Sequence, residues 1–220
     1  MQNELKQQVA KSALAYVPKD EIIGVGTGST VDYFIRELAT MRHDIAGAVA
    51  SSERSKKLLE EVGIEVLDIN SAPNIAVYID GADEVERSGY CIKGGGGALT
   101  REKIVAAIAN KFICIVDDSK VVDVLGRDFP VAIEVLAEAR SHVGRDCVAM
   151  GANPVYREGF VTDSGHIILD VYGLNFSDIK ALDTNLNAIV GVVCHGLFVS
   201  ERPNTILVAS SAGVTAFAAT

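Results

Sequence analysis

Two neighbouring stretches hold the groups that could do chemistry: Asp80-Gly81-Ala82-Asp83-Glu84, then Lys93-Gly94-Gly95-Gly96-Gly97-Ala98-Leu99-Thr100-Arg101-Glu102-Lys103. Successive glycines cost chain entropy. A fold keeps them where backbone must approach something closely or turn consecutive N–H groups toward an anion. An ordinary surface turn needs one or two glycines, not four. Asp80, Asp83 and Glu102 around such a loop, with Lys93 at its entrance, put acid–base groups beside an oxyanion or phosphate cradle. That combination suits proton transfer on a small polar substrate. Clustered carboxylates also raise one another's pKa values, as acid–base catalysis requires. The rival reading is a divalent-metal site, but there is no Asp-x-Asp pair and no partnering histidine. Glu102 falls in the first turn of the helix that follows the glycines. Acidic residues there often serve only the helix dipole, with Thr100 as cap. Its place just beyond Lys93 and the glycine run favours a catalytic role.

A second glycine turn, Gly24-Val25-Gly26-Thr27-Gly28-Ser29-Thr30, lies between an apolar run and a helical pattern. Its N–H groups, hydroxyls and positive helix end make an anion site. It lacks the Gly-Lys-Ser/Thr ending of a nucleotide phosphate loop. It also misses the dinucleotide fingerprint, because Ser29 stands at the third glycine position. Its structural alternative is a tight strand–helix turn capped by Ser29 or Thr30. Lys120, after Asp117-Asp118-Ser119, is either a point charge for phosphate or a solvated lysine. His43, His142, His166 and His195 show no ligand spacing, and Cys91, Cys114, Cys147 and Cys194 form no Cys-x-x-Cys. These cysteines read as buried hydrophobes of a reducing cytosol.

The elements that must position these groups follow from periodicity. Helices are expected at 4–16, after Thr30, at 52–62 with Ser52 as N-cap, and at 100–110. Strands are expected at 21–25, 64–69, 75–80 and 112–117. Alternation of strands and helices implies a parallel sheet with crossover helices on both faces. Ligands of such sheets sit at the carboxyl ends of the strands, where the Gly26–Thr30 turn, the Asp80 turn and Lys120 can all meet. Beyond Gly126 the pattern changes to strand 130–136, helix 138–150, strands 153–157 and 166–171 joined by Thr162-Asp163-Ser164-Gly165, helix 177–189 and strand 190–199. This β-α-β-β-α-β order is ferredoxin-like. A last strand at 205–209 and a short helix at 214–219 cannot bury themselves alone and are expected to rejoin the first sheet. The fold class is therefore α/β: a Rossmann-like parallel sheet formed by 1–126 and 199–220, with an inserted ferredoxin-like α+β domain at 127–198 serving as lid or in assembly.

The chain has 220 residues, enough for a real core, with 49% hydrophobic and 22% charged residues. A net charge of −9 argues against general nucleic-acid binding. The start of the chain has no signal-peptide core, and no apolar run approaches the roughly 20 residues of a membrane span. A cytoplasmic protein is expected, with neither membrane nor nucleic acid as partner.

The segments 24–30, 80–84, 93–103 and Phe112-Ile113-Cys114-Ile115-Val116-Asp117-Asp118-Ser119-Lys120 together resemble the A-type ribose-5-phosphate isomerases, as do Pro130–Val135 and Gly191–Phe198. The resemblance implies a cofactor-free aldose–ketose isomerase that interconverts ribose 5-phosphate and ribulose 5-phosphate through an enediolate in the non-oxidative pentose phosphate pathway, and with no ligand set visible no metal is expected. It implies substrate contacts at Thr27, Gly28, Ser29, Thr30, Asp80, Gly81, Ala82, Asp83, Lys93, Gly94, Gly95, Gly96 and Lys120. It makes Glu102 the acid–base catalyst, assisted by Asp80, Asp83 and Lys93, and suggests a homodimer or higher homo-oligomer. Departures are Gly97, where alanine is common, and the tail from Cys194. Two other readings are a sugar-phosphate-sensing regulatory domain, which should carry a basic helix-turn-helix ahead of it, and acyl transfer to coenzyme A with Glu102 as nucleophile.

Overall fold

The computed structural model describes residues 2–219. In chain order the elements are α1 (Gln2–Ala13), β1 (Ile22–Val25), α2 (Ser29–Leu38), β2 (Gly47–Ala50), α3 (Glu53–Glu61), β3 (Val77–Asp80), β4 (Glu84–Val85), β5 (Cys91–Ile92), α4 (Leu99–Ile108) and β6 (Phe112–Asp117). There follow β7 (Val131–Val135), α5 (Arg140–Ala149), β8 (Asn153–Tyr156), β9 (Ile167–Tyr172), α6 (Ile179–Ala188), β10 (Val192–His195), β11 (Leu197–Phe198), β12 (Thr205–Ser210) and β13 (Gly213–Ala218).

The first sheet has the order β13-β12-β6-β3-β1-β2, parallel except for the antiparallel edge strand β13. Its central strands are buried on both faces, so they read as continuous apolar runs. Ile23, Val25, Ile79, Ile113 and Ile115 pack under α1, α2 and α3 on one face. Tyr78, Phe112, Cys114 and Val116 meet Val105 and Ala106 of α4 on the other. A second sheet, β10-β7-β9-β8, is wholly antiparallel. With β7, β8, β9 and β10 taken in turn, that is the 4-1-3-2 order of a ferredoxin-like unit. One face of it packs on α5 and α6 through Val143, Leu182 and Leu186. The other receives Leu99 of α4 through Ala132, Ile168 and Cys194. Helix α4 therefore lies between the two sheets.

Several expectations needed correction. The tail at 213–218 is a strand, not a helix. Val214, Thr215 and Phe217 favour extended backbone, and six residues of β12 offer a partner register. The 64–69 segment makes only an isolated bridge from Val66 to Ala48, while the unforeseen β2 takes that edge. The single strand read over 190–199 is two strands serving different sheets. It breaks at Gly196, whose N–H donates to Ala132 O at 2.7 Å while its carbonyl accepts from Lys93 N at 2.8 Å. A Cβ at 196 would stand 2.0 Å from the Lys93 carbonyl oxygen. Helix α2 is capped by Gly28 at φ +114°, not by Ser29 or Thr30, and α4 starts at Leu99 with no side-chain cap. Ser52 does cap α3, accepting from Ser55 N at 3.0 Å.

Because the clash at Gly196 is with backbone, Gly196→Ala should destabilise the protein by at least about 1–3 kcal/mol, the usual cost of overpacking. Urea unfolding of both proteins measures it, and an unchanged midpoint would show that the junction yields easily.

Candidate active site

Strand β3 delivers Asp80 to the carboxyl edge of the first sheet, where the side chain is completely buried. Its Oδ1 accepts from Thr27 N at 3.1 Å and Gly81 N at 2.7 Å; its Oδ2 accepts from the Tyr78 hydroxyl and lies 2.7 Å from Lys93 Nζ. Gly26 makes this possible: a Cβ there would sit 1.9 Å from the Asp80 carboxyl group. Lys93, 3% exposed, sends its ammonium to three acceptors: Asp80 Oδ2, Gly81 O at 2.6 Å and Glu102 Oε1 at 3.4 Å. Burial alone would lower the Lys93 pKa, but the Asp80 and Glu102 carboxylates more than offset it. The net shift is upward, so the lysine stays charged.

Glu102, in the first turn of α4, is 4% exposed. Lys93 holds its Oε1, while its buried Oε2 has no hydrogen-bond partner. Burial raises its pKa, Lys93 opposes, and the Asp80 and Asp83 charges raise it further; the carboxyl is pushed up to about 8. Asp83 is also raised, chiefly by burial, with the Gly95 N–H opposing through a 2.8 Å bond to Oδ2. Glu84 leaves the cluster altogether. Its Oε2 accepts from Gly126 N at 2.7 Å and secures the segment between β6 and β7.

Lys93, Glu102 and Asp83 border one cavity of about 520 Å³. Thr27, Gly28, Ser29 and Thr30 form one end. Gly81, Ala82, Asp83, Lys93, Gly94, Gly96, Glu102 and Lys120 form the rest of the expected lining. Asp80 and Gly95 lie behind that lining. Three of the four loop glycines have a reason in the structure. Gly94 and Gly97 take φ +104° and +78°. A Cβ on Gly95 would press on Asp83 Oδ1 at 2.7 Å. Gly96 alone has ordinary φ and open space beside it.

The sequence reading missed part of the wall. Lys6 of α1 reaches Ser29 Oγ at 2.9 Å. Ser52 donates to Thr27 Oγ1 at 3.0 Å, and Arg54 is held by both oxygens of Asp32. Gln2 also lines the cavity, as do Phe160, Val161 and Asp163 from the hairpin between β8 and β9. Asp163 fastens that hairpin: its Oδ2 accepts from Glu53 N at 2.9 Å, and its carbonyl accepts from Arg101 at 3.0 Å. No motif marks Lys6 or Arg54. The one available signal was the Phe160-Val161 pair between the turns at Gly159 and Gly165. Among the described residues no group of three His, Cys, Asp or Glu is gathered as metal ligands, and no helix is long and apolar enough to cross a membrane.

Known proteins resemble this chain over nearly its whole length. The family model described as ribose 5-phosphate isomerase A (phosphoriboisomerase A) matches residues 47–213. A ribose-5-phosphate isomerase A of Legionella pneumophila (strain Corby) is 57% identical over 212 residues, covering 96% of this chain and 98% of its own. The crystal structure of ribose 5 phosphate isomerase A from Neisseria gonorrhoeae superposes with TM-score 0.98 at 41% identity, over 100% of this chain and 98% of that one. A D-ribose-5-phosphate isomerase in complex with phospho-erythronic acid superposes with TM-score 0.95 at 34% identity, over 99% of both chains. The chain belongs to the ribose 5-phosphate isomerase A family.

Proposed function

We propose that this chain interconverts ribose 5-phosphate and ribulose 5-phosphate, with Glu102 moving the proton between C2 and C1. The observation that carries the assignment to Glu102 is its buried Oε2, without a hydrogen-bond partner among the described residues, on a residue that lines the cavity. A buried oxygen without a donor is costly to keep. Here it is a free acceptor for a carbon-bound proton. With the pKa raised to about 8, the carboxylate is a far stronger base than free glutamate. The open-chain aldose loses its C2 proton to Oε2, electrons move into the carbonyl, and an enediolate forms. The hydroxyl proton on O2 passes to O1, C2 becomes the carbonyl, and the same carboxyl returns its proton to C1, giving the ketose. Lys93 fixes Oε1 and contributes positive charge near the developing oxyanion. The Gly96 N–H, without an acceptor among the described residues, supplies a donor. Asp83, itself raised in pKa, exchanges the proton needed to open the furanose ring. Asp80, wholly buried, orients Lys93 from behind. Thr27–Thr30, Lys6 and Lys120 receive the phosphate at the N-terminus of α2. The phospho-erythronic acid bound by one solved relative suits such a site: its planar carboxylate has the shape of an enediolate.

No cofactor enters this scheme, and Lys93 already fills the place between Asp80 and Glu102 that a metal ion would take. The same reading divides the chain at 126/127 and 198/199 into catalytic and inserted units. It places the protein in the cytoplasm, in keeping with four free buried cysteines. It makes the protein a homodimer or higher homo-oligomer, with Ile104 and Ile108 exposed one turn apart on α4 as surface to cover. A sugar-phosphate sensor of the same shape would have no use for the orphaned base.

Three measurements test this. Glu102→Gln keeps the shape and removes the base, so kcat should fall at least ~10²-fold with KM within a few-fold; near-normal turnover would move the base to Asp83. Parent enzyme in deuterated water should wash some label into the transferred position, and activity should survive exhaustive chelation. Finally, a carboxyl whose folded pKa lies above its unfolded value binds its proton more tightly when folded. Stability therefore falls as pH rises from about 4.5 through 8. Glu102→Gln removes that loss and should melt higher than the parent by at least about 2 °C more at pH 9 than at pH 5. Equal differences at both pH values would contradict the raised pKa.

A further inference from the structure

Arg157, just beyond β8, belongs to the second sheet's hairpin yet reaches the glycine loop. Its Nη1 donates to Gly94 O at 3.2 Å and Gly95 O at 3.3 Å. The guanidinium is fixed from behind by Asp170, which accepts from Nε at 2.8 Å and from Nη2 at 2.5 Å. Phe160 covers its face at 5.4 Å, and that same ring lies against Gly97, where a Cβ would be 2.2 Å away. Gly94, Gly95 and Gly97 are thereby held from the side of the inserted unit. In a trans peptide, C=O and N–H point in opposite directions. A donor gripping the Gly94 and Gly95 carbonyls therefore turns the Gly95 and Gly96 N–H groups the other way. Gly95 N–H goes to Asp83 Oδ2 at 2.8 Å. Gly96 N–H has no acceptor among the described residues, and Gly96 lines the cavity.

We propose that Arg157, locked by Asp170, is a positioning residue for the reaction: it orients and polarises the Gly94–Gly96 peptides so that their N–H groups serve Asp83 and the substrate oxyanion. This rests on the isomerase reading given above. The arginine acts only through the loop, because it does not line the cavity itself. A charged donor on a carbonyl strengthens the N–H of the same peptide as a donor. The fork is essential, since one planar group must meet two carboxylate oxygens and two carbonyls at once. Lysine, a single compact point charge, cannot do so. The inserted unit thus enters the chemistry through backbone, without lending a group that touches substrate.

The test compares the parent with Arg157→Lys and Asp170→Asn, each shown to be folded by its melting curve. With ¹⁵N-glycine labelling and no ligand, the Gly95 and Gly96 amide resonances should move in both variants, while Gly213, remote on the edge hairpin, stays put. The kcat for ribose 5-phosphate should fall roughly ten-fold or more, the scale of a weakened oxyanion donor, with KM within three-fold. Affinity for phospho-erythronic acid should fall with kcat, and affinity for inorganic phosphate should not change. Unmoved glycine resonances overturn the proposal, and so does a loss of phosphate affinity in step with kcat, which would mark general collapse of the cavity. If the parent itself fails to isomerise ribose 5-phosphate, the activity reading fails, and the glycine resonances still decide whether Arg157 sets the loop. Should Arg157→Lys not fold, Asp170→Asn carries both readouts.

Discussion

One ammonium group holds this structure's chemistry together. Lys93 sits almost fully buried between Asp80 and Glu102, two carboxylates for one positive charge. A buried ion is tolerable only when paired and hydrogen-bonded. Asp80 meets that condition with four donors, whereas Glu102 does not. The imbalance is what keeps one carboxyl oxygen unoccupied and its pKa high. Much of the surrounding architecture serves this arrangement. Gly26 makes room for Asp80, Gly196 lets the chain pass the Lys93 carbonyl, and Phe198 lies 5.6 Å beneath the ammonium.

Helix α4 gives the arrangement its second requirement, a fixed carboxylate. Leu99 packs on the second sheet and Val105 and Ala106 on the first, which clamps the helix between them while Ile104 and Ile108 stay exposed. Its first turn is also tied to the inserted unit. Glu134 of β7, buried, accepts from Thr100 on one oxygen, and on the other meets Thr162 at 2.7 Å and His166 at 2.8 Å. That network replaces the capping role expected of Thr100. It connects the turn carrying Glu102 to the same hairpin whose Phe160 and Asp163 border the cavity. The site is thus made of groups from both sheets, held by charge-assisted hydrogen bonds in a partly dry interface, where such bonds are strong.

The elements legible from sequence were those whose signal is local. The central strands showed as apolar runs because both faces are buried. The helices α2, α3 and α6 showed by one-sided periodicity, and the hairpin by its Asp-Ser-Gly turn, with Gly165 at φ +85°. Misreadings fell where a partner strand or a junction decides. The segment 214–218 is short and alanine-rich, and only pairing with β12 makes it extended. The run 190–199 looked continuous because nothing local reveals that Gly196 marks a change of sheet. Glu84 read as a member of the acid cluster by adjacency alone. In an extended strand, neighbouring side chains point to opposite faces, and its carboxylate went to the Gly126 backbone.

By itself, the sequence determined which groups are present and in what local frame: a carboxylate at a strand end, a glycine loop running into a helix, an acid in that helix's first turns, and an anion-binding turn after β1. Those follow from backbone preferences over a few residues. Tertiary structure decided the rest. It placed Asp80 behind the cavity and Asp83 at its wall, and left Glu102 with one oxygen bare. It also brought Lys6, Arg54, Phe160 and Arg157 from distant segments to the same few loops. Burial and orphaned valences are properties of packing across the whole chain. Desolvation, and not residue type, raises the Glu102 pKa on which the proposed proton transfer rests.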